Sequence, residues 1–394
     1  MASDVVSLLQ ELVRIPSVNP MGRDVAGEIY FEARLTSFLQ QYVADWGFFC
    51  ERQHVSPQRE NLLIATVDLA KLPPDRPILM LEAHQDTVPV DGMSIDPFAG
   101  EIKNGRIYGR GSCDIKGGMA AMLMAISKFR DLPAEKRPAV VLALAVNEEH
   151  GFSGAKRITR CWSEGESKLL TRPPAAVLVS EPTLLDVVVS HKGVARWKCH
   201  AQGVAAHSSN PKIGANAIYR MSRIVTALEK HAENLPGTVA PLIGGPTLSV
   251  GIISGGVSVN TVPDHCVIEI DRRLAPGDNP LEAQQAAIDF VAKELGNPDW
   301  IQHNPPFIIS PGLAPSHNQE LASSLLETLA KCGVSAKTIG VPYGTDGAIL
   351  SQGDVPTVVC GPGDIAQAHT HDEWLAIDQL EKSVEVYEAY CRKF

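Results

Sequence analysis

Short runs of apolar residues along the chain end abruptly in polar side chains, and stretches with helical spacing separate them. The runs are Ile78–Ala83, Ala139–Val146, Ala175–Ser180 and Thr357–Cys360. Their length and their lack of clean alternation are typical of strands that are buried on both faces of a sheet. Helices are predicted between them, notably over Gly117–Arg130 and Gln319–Cys332. The alternation predicts an α/β domain with a central, largely parallel sheet and a site beyond the carboxyl ends of its strands.

The middle of the chain follows a different order of elements. In turn, the pattern predicts a strand over Val187–His200, a helix over Gly214–His231, a strand pair over Thr247–Ile253 and Val259–Arg273, a helix over Pro280–Leu295 and a last strand near Trp300–His303. This βαββαβ order is that of a ferredoxin-like domain. We therefore expect a catalytic domain over residues 1–187 and 305–394, interrupted by an inserted domain over residues 188–304.

Length and composition narrow the class of protein. A chain of 394 residues is too long for one ordinary core, which favours two domains. The formal net charge of −10 argues against nucleic-acid binding, because a phosphate backbone needs basic patches. No apolar run approaches the roughly 18 residues that span a bilayer, and the first residues lack the pattern of a secretory signal. The eight cysteines form no Cys-x-x-Cys pair, which favours reduced thiols and a cytoplasmic protein.

Residues with metal-ligand side chains stand where the predicted strands end. They are His84 with Asp86 two positions later, Asp114 in a glycine-rich loop ahead of a helix, the adjacent pair Glu148 and Glu149, Glu181 before a proline, and His369 after a Gly-Pro-Gly turn. Zinc takes imidazole nitrogen and carboxylate oxygen as ligands, and a catalytic site leaves room for water. Each residue alone has an ordinary explanation as a structural hydrogen bond, a surface charge or a helix cap. Together, on one edge of a sheet, they favour a metal site.

Several strings of the sequence resemble a known enzyme family. They are Ser180-Glu181-Pro182-Thr183, His191-Lys192-Gly193, Ala206-His207-Ser208-Ser209 and the segment from Gly361 to His369. From about Leu8 to its end, the chain resembles the acetylornithine deacetylase, succinyl-diaminopimelate desuccinylase, aminoacylase and carboxypeptidase family of di-zinc hydrolases. Within that family the strings look most like those of acetylornithine deacetylases.

The resemblance implies a role for each residue at the strand ends. His84 and Glu181 would bind one zinc ion, Glu149 and His369 the other, and Asp114 would bridge the two. Asp86 would orient His84, and Glu148 would be the general base toward a water that the two ions share. In related sequences the ligand histidine precedes an acidic residue by four positions, as His369 precedes Glu373, so we favour His369 over His371. We expect His150 to be a loop residue.

A histidine of the inserted domain, His207, has two interpretations. By itself it is typical of a capping or surface histidine. In similar enzymes the matching histidine reaches the active site of the neighbouring subunit and binds the oxyanion. The resemblance therefore implies a catalytic role for His207 and a homodimer that forms through the inserted domain. The free edge strand of a ferredoxin-like sheet gives such pairing a mechanism.

Substrate recognition is assigned to four residues by the same resemblance. An arginine binds a carboxylate through two parallel hydrogen bonds, and the family pattern Asp-x-Arg fits Asp271-Arg272-Arg273. We assign that role to Arg273, which shares a strand face with Asp271, and interpret Arg272 as a surface charge. The full set of expected substrate contacts is Asn260, Arg273, Gly344 and Thr345.

Two positions depart from the pattern of the family. Asp346 stands where acetylornithine deacetylases often carry glutamate. Asn147 replaces the acidic residue that often precedes the glutamate pair, which removes a negative charge beside Glu148 and would alter its pKa.

The sequence thus favours a zinc-dependent hydrolase of N-acyl amino acids that resembles acetylornithine deacetylase. It would use two zinc ions, for which cobalt could substitute, and would act on a small N-acyl amino acid or peptide, with no nucleic-acid or membrane partner. A desuccinylase, a dipeptidase or a carboxypeptidase of the same chemistry remains open. So do a metal-dead binding protein and, as a third class, a hydrolase that uses Cys113 as its nucleophile.

Overall fold

The structure, a computed structural model, describes residues 4–235, 240 and 242–394. The chain divides into two units. The larger takes in Met1–Val189, Ala314–Gly340 and Thr345–Phe394, and the smaller takes in Ser190–Leu313 and Val341–Gly344. Among the described residues, no helix has both the length and the hydropathy that crossing a bilayer requires.

The chain contains both strands and helices. The strands are β1 Phe49–Ser56, β2 Arg59–Ala65, β3 Leu79–His84, β4 Glu101–Lys103, β5 Arg106–Tyr108, β6 Val140–Ala145, β7 Ala176–Val179, β8 Val187–His191, β9 Gly193–Gln202, β10 Ala206–His207, β11 Thr247–Gly255, β12 Thr261–Val262, β13 His265–Leu274, β14 Ile301–His303, β15 Ile308–Ser310, β16 Thr338–Val341, β17 Thr357–Val359 and β18 Trp374–Ala376. The α-helices are α1 Val5–Arg14, α2 Ala33–Tyr42, α3 Lys116–Ser127, α4 Ser153–Ser163, α5 Ala217–Glu233, α6 Pro280–Leu295, α7 Gln319–Lys331, α8 Gly347–Leu350 and α9 Ile377–Cys391.

The larger unit is built on an eight-stranded sheet with the order β1-β2-β6-β3-β7-β17-β8-β16. Its centre is parallel, because β3 pairs in parallel with both β6 and β7, and β17 pairs in parallel with β7. Antiparallel pairs flank this centre, β2 with β6 on one side and β8 with β17 on the other. The apolar runs predicted to be buried strands correspond to the four central strands, β3, β6, β7 and β17, and every residue of these strands is buried. The prediction of a central, largely parallel sheet is confirmed.

Helix α3 lies in the core of the larger unit, where all of its residues are buried. Between Lys116 and Ser127 it carries only glycine and apolar residues, as expected for a helix with no solvent-facing stripe. Each buried Leu, Ile or Met adds about 1.5–3 kcal/mol to the free energy of unfolding. The start of the helix packs closely against a neighbouring side chain: a Cβ on Gly118 would lie 1.8 Å from Ser180 Oγ. The buried Lys116 donates from Nζ to the carbonyls of Leu12 and Ile15 at the end of α1, at 3.0 and 2.7 Å. These contacts fix where the loop before α3 lies.

The smaller unit carries an antiparallel sheet with the order β11-β13-β9-β14, in which β15 continues the pairing along β9. Helices α5 and α6 pack against each other and against this sheet. Their shared core includes Trp197, Met221 and Ile268. With β9, β11, β13 and β14 numbered one to four, the spatial order is 4-1-3-2, so the predicted ferredoxin-like fold is confirmed.

Two predicted strands are each divided in the structure. The run over Val259–Arg273 becomes β12, which pairs with β10, and β13 in the sheet of the smaller unit. The run over Val187–His200 is not one strand but two, β8 in the eight-stranded sheet and β9 in the sheet of the smaller unit. The break falls at Lys192-Gly193, where the backbone of Gly193 lies close to the backbone of residues 310–312. A Cβ on Gly193 would lie 2.6 Å from the nitrogen of Gly312. Apolar periodicity cannot reveal that break, since both strands continue the same β-branched pattern.

We expect the smaller unit to lose stability in mild acid through His303. Trp197 donates its indole N–H to His303 Nδ1 at 3.2 Å, and burial, with nearby His200, lowers the pKa of His303 to about 4. In the unfolded chain this histidine binds a proton near pH 6.5. Its contribution to the free energy of unfolding is therefore complete above that pH and is lost as the pH falls toward 4. His303→Gln should flatten the fall in the free energy of unfolding between pH 7 and pH 5 in urea titrations followed by tryptophan fluorescence. The exposed His54→Gln serves as the control and should keep the parent slope; an equal slope in both variants would contradict the prediction.

Candidate metal centre

The four parallel strands at the centre of the large sheet end at one edge, and the ligand-type residues follow those ends. His84 is the last residue of β3, Glu148 and Glu149 come after β6, Glu181 comes after β7, and His369 lies in the segment after β17. Carboxyl ends of neighbouring parallel strands meet at the same edge of a sheet. The topology therefore brings together residues that are up to 285 positions apart, from His84 to His369.

Five of these residues form two clusters that share Asp114. In the first cluster, His84 Nε2 lies 3.1 Å from Asp114 Oδ1 and 3.9 Å from Glu181 Oε1. In the second, His369 Nε2 lies 3.2 Å from Asp114 Oδ2 and 3.3 Å from Glu149 Oε2. Asp114 thus presents one carboxylate oxygen to each imidazole. Its position is that of a carboxylate that bridges two cations.

The charge balance of the clusters fits metal ions. Asp114, Glu149 and Glu181 are three carboxylates with little exposed side chain, and no lysine or arginine forms an ion pair with them among the described residues. Burial raises the pKa of both glutamates. Hydrogen bonds to Asp114 and Glu149 raise the pKa of His369 to about 11. Buried carboxyl groups without a lysine or arginine partner, together with imidazole nitrogens, are a donor set that suits two divalent ions, whose charge would stabilise the ionised carboxylates.

His84 is held in one orientation by a hydrogen bond from its other ring nitrogen. Nδ1 lies 2.8 Å from the main-chain carbonyl oxygen of Asp86, so Nδ1 carries the proton and donates it, and Nε2 faces the cluster. The carboxylate of Asp86 is farther away, with Oδ1 3.7 Å from Nδ1. The residue predicted to orient His84 therefore contacts it through its backbone.

The carboxylate of Asp86 instead holds the turn that carries the two glutamates. Its Oδ1 accepts the amide N–H of Glu148 at 3.0 Å, and its Oδ2 accepts that of Glu149 at 3.1 Å. Asn19 Nδ2 donates to the same Oδ2 at 2.7 Å. A buried carboxylate that accepts three hydrogen bonds fixes the backbone from which Glu148 and Glu149 diverge.

Glu148 is buried beside both clusters and belongs to neither. Burial raises its pKa well above the ordinary range, and the carboxylates of Glu181, Asp346 and Glu149 add to that rise against the opposing effect of His84. Cations in the two clusters would oppose the shift. A carboxyl group that is neither a ligand nor ion-paired, next to a metal centre, is placed to exchange a proton.

Asn147 uses its amide side chain in a way that a carboxylate could not. Its backbone is left-handed, with φ 61°, a conformation that asparagine tolerates. Nδ2 donates to Ser153 Oγ at 2.9 Å, and Oδ1 accepts from Asn19 Nδ2 at 3.0 Å. An acidic residue here would lose the donor to Ser153. Asparagine in place of the acidic residue therefore changes the hydrogen bonds of the turn as well as its charge.

Sequence patterns gave no indication of the buried pair Arg59 and Glu32. Arg59 Nη1 bonds to Glu32 Oε1, which also accepts the amide N–H of Asn147 at 3.1 Å. Arg59 Nη2 donates to Asn19 Oδ1 at 3.3 Å. These residues come from the N-terminal part of the chain, far from any ligand-type motif, and only the folded chain places them under the turn.

The predicted residues of the smaller unit fall into two places. His207 lies on β10, which pairs with β12. The next residue, Ser208, donates its N–H to the carbonyl of Asn260 at 3.0 Å, so His207 and Asn260 are neighbours. The His207 side chain is exposed, with Nδ1 2.8 Å from Ser209 Oγ. Arg273 lies on β13, where its Nε donates to Asp271 Oδ1 at 2.8 Å, on the shared face that was expected.

Arg272 is not the surface charge that its sequence position suggested. Its side chain is buried, because β13 alternates and this residue faces the helices. Its Nη1 donates to the carbonyls of Thr247 and Arg273 at 3.3 and 2.8 Å. Of the two loop residues assigned to substrate, Gly344 belongs to the smaller unit, while Thr345 belongs to the larger one, where its Oγ1 accepts the N–H of Gly347 at 3.0 Å.

The remaining candidates lie outside the clusters. The carbonyl of His371 accepts from Ser94 N and Oγ, and its ring lies beside Gly92, so it takes no part in either cluster. His150 is in neither cluster as well. Cys113 is buried, its Sγ lies 3.5 Å from the carbonyl of Asp364, and burial raises the pKa of the thiol well above its ordinary range. A thiol held in that form is a poor nucleophile, which argues against a cysteine hydrolase.

Comparison with known proteins adds an independent finding. A family model for peptidase family M20/M25/M40 matches residues 80–393. The acetylornithine deacetylase of Vibrio atlanticus (strain LGP32) is 31% identical over 366 residues, which cover 90% of each chain. Among solved structures, the M20 family metallo-carboxypeptidase Sso-CP2 from Sulfolobus solfataricus aligns over 99% of both chains, with a TM-score of 0.78 and 18% identity.

A second solved structure is similar over a comparable length. It is the YXEP protein of Bacillus subtilis, a dinuclear metal binding peptidase from the M20 family, which aligns over 99% of this chain and 96% of its own with a TM-score of 0.68 and 14% identity. At such low identity the two solved structures establish the fold alone.

We expect Asp114→Asn to weaken metal binding at both clusters, because one carboxylate serves the two imidazoles. Cobalt titration of the metal-free protein, followed by calorimetry and visible absorption, should show two equivalents for the parent and at least one lost in the variant. Asp91→Asn is the matched control, since the side chain of Asp91 is 76% exposed. Two equivalents retained by Asp114→Asn with parent affinities would mean that Asp114 does not bridge the clusters.

Proposed function

The chain belongs to peptidase family M20/M25/M40, and on that premise we propose that it is a di-zinc hydrolase of N-acyl amino acids, with acetylornithine deacylation as the nearest named activity. The proposal is carried by one observation: two clusters of nitrogen and oxygen donors share Asp114, and the buried carboxyl group of Glu148 lies beside them without being a ligand. The relatives named acetylornithine deacetylase support the choice of an N-acyl amino acid as substrate.

The donors divide between two zinc ions. His84 and Glu181 would hold one, Glu149 and His369 the other, and Asp114 both. When bound, the two ions would polarise the scissile carbonyl and lower the pKa of a water toward about 7. Three ligand carboxylates leave one positive charge of the four uncompensated, which favours an anionic nucleophile at the centre.

Glu148 carries the protons of the reaction. Its carboxylate takes a proton from the attacking water as the new carbon–oxygen bond forms. It then gives that proton to the amide nitrogen as the carbon–nitrogen bond breaks, so that the amino group leaves neutral. Burial supports the second step, because it favours the protonated form of Glu148. The hydrogen bonds from the Glu148 and Glu149 amides to Asp86 keep Glu148 in place through both steps.

The proposal also assigns substrate contacts to Arg273, His207 and Asn260. Arg273 is held by Asp271 through its Nε, an arrangement that leaves the two Nη groups to bind a substrate carboxylate in parallel. His207 and Asn260, which are neighbours, would contact the oxyanion and the substrate. His207 would act in the active site of the partner subunit.

The dimer would form along β11. This strand is the edge of its sheet, and Ile252 and Ile253 on it are 56% and 58% exposed. An exposed apolar edge strand is a template for pairing with a second copy, which would bury both the edge amides and these side chains.

A hydrolysis screen tests the proposal directly. With zinc or cobalt supplied, we expect release of free amine from N-acetyl amino acids, acetylornithine among them, measured against N-succinyl amino acids and dipeptides. Glu148→Gln should lower kcat by about 10²–10⁴-fold while the variant keeps two metal equivalents, and the exposed Glu135→Gln should keep the parent rate. Preference for a dipeptide or a succinyl substrate would move the protein to a dipeptidase or desuccinylase activity. No hydrolysis of any of them would favour a binding protein without catalysis.

Mixed dimers test whether His207 acts across subunits. His207→Ala and Glu148→Ala should each be nearly inactive, while a mixture allowed to exchange subunits should recover up to about a quarter of the parent activity, because half of the dimers are mixed and each has one intact site. A mixture that stays inactive although subunits exchange would restrict His207 to its own chain or remove it from the reaction.

A further inference from the structure

A buried ion pair between Arg110 and Glu373 joins the loops that carry the metal ligands. The two residues are 263 positions apart, and their side chains are 4% and 0% exposed. Arg110 Nη1 donates to Glu373 Oε2 at 2.6 Å. Taking both charges out of water is costly, so a pair of this kind persists only where further hydrogen bonds satisfy it.

The other oxygen of Glu373 holds the backbone of the bridging aspartate. Oε1 accepts the amide N–H of Cys113 at 2.9 Å and that of Asp114 at 3.0 Å. Two charge-assisted hydrogen bonds to one oxygen fix the direction in which the Asp114 side chain leaves the chain. That direction determines whether its two carboxylate oxygens can face His84 and His369 at the same time.

The other end of the pair reaches two further ligand segments. Arg110 Nη2 donates to the carbonyl of Pro89, in the segment after His84, at 3.2 Å, and to the carbonyl of Thr370, next to His369, at 3.3 Å. A planar guanidinium can serve three acceptors in fixed directions, which a lysine ammonium on a flexible stem cannot do.

A small sheet brings the two residues together. Strand β18 pairs with β5, so that Trp374 lies opposite Tyr108, and the amide of Gly109 donates to the carbonyl of Glu373 at 3.0 Å. One strand leads into the Asp114 loop, and the other follows the His369 loop. Their pairing sets the register between the loops, and the ion pair continues it to the ligands.

We propose that Glu373 and Arg110 are positioning residues of the metal centre, which hold Asp114 and His369 at the separation that two cations require. The inference rests on the proposed di-zinc site and extends it to residues that touch neither metal nor substrate. Groups that orient metal ligands typically contribute about 10–100-fold in metal affinity. Metal affinity, rather than only the stability of the fold, should therefore depend on the pair.

Cobalt titration of metal-free variants tests this, with calorimetry for affinity and visible absorption for ligand geometry. Glu373→Ala should weaken binding by about 10–100-fold and change the absorption of the bound cobalt. Glu373→Gln keeps an oxygen for the two amides but places no charge against Arg110, so it should recover part of the affinity. Arg110→Lys should lose affinity without loss of charge, since it cannot reach the carbonyls of Pro89 and Thr370 together.

A destabilised control separates positioning from folding. Leu329→Ala empties a buried core position on α7, a helix that carries no cluster residue, and should lower the Tm of the metal-free protein while leaving cobalt affinity unchanged. Parent affinity in Glu373→Gln, Arg110→Lys and any folded Glu373→Ala protein, with only a lower Tm, would overturn the inference. If the parent itself takes up no cobalt, the proposed di-zinc site fails instead, so the two failures are distinguishable.

Discussion

The shared carboxylate of Asp114 is the interaction on which the rest of the site depends. Its two oxygens lie 3.1 and 3.2 Å from the imidazole nitrogens of His84 and His369, which are 285 positions apart in the sequence. Burial by itself would raise the pKa of Asp114, but the close imidazoles of His369 and His84 outweigh it and lower the pKa. The group is therefore an anion in the core, and its neighbours must supply positive charge. The imidazole of His369 provides a part of it, and divalent cations would balance the negative charge of the surrounding carboxylates.

Main-chain amides, more than side chains, hold the ligands in place. Asp86 accepts the amides of Glu148 and Glu149, and Glu373 accepts those of Cys113 and Asp114. In both cases one buried carboxylate fixes two consecutive peptide groups on a turn that carries acidic side chains. Backbone held in this way limits the directions open to the side chains, which suits a site whose geometry must be maintained within a fraction of an ångström. The same arrangement explains why buried charges are kept near the centre, since each accepts several hydrogen bonds.

Much of the architecture was accessible from the sequence because it follows from local patterns. The four apolar runs correspond to the four central strands, and Pro280–Leu295 is helix α6 with the predicted bounds. The family resemblance carried by short strings such as Ser180-Glu181-Pro182-Thr183 agrees with the family match over residues 80–393. The run over Val187–His200 was misread because its division depends on the close passage of Gly193 past Gly312, a contact between segments that are far apart in sequence.

The sequence by itself determined the types of residue available for chemistry and the strands that carry them, because periodicity and strand-end position are local properties. The family resemblance implied the ligand set His84, Asp114, Glu149, Glu181 and His369, and the folded chain brings these residues together. Only the tertiary structure decided how they are held. The backbone carbonyl of Asp86 is the group that contacts His84, Arg272 is buried, and Arg110 reaches Glu373 across 263 positions. The Arg110–Glu373 pair depends on the pairing of distant segments, and the other two depend on the directions that the folded backbone gives to neighbouring groups. No local pattern encodes either.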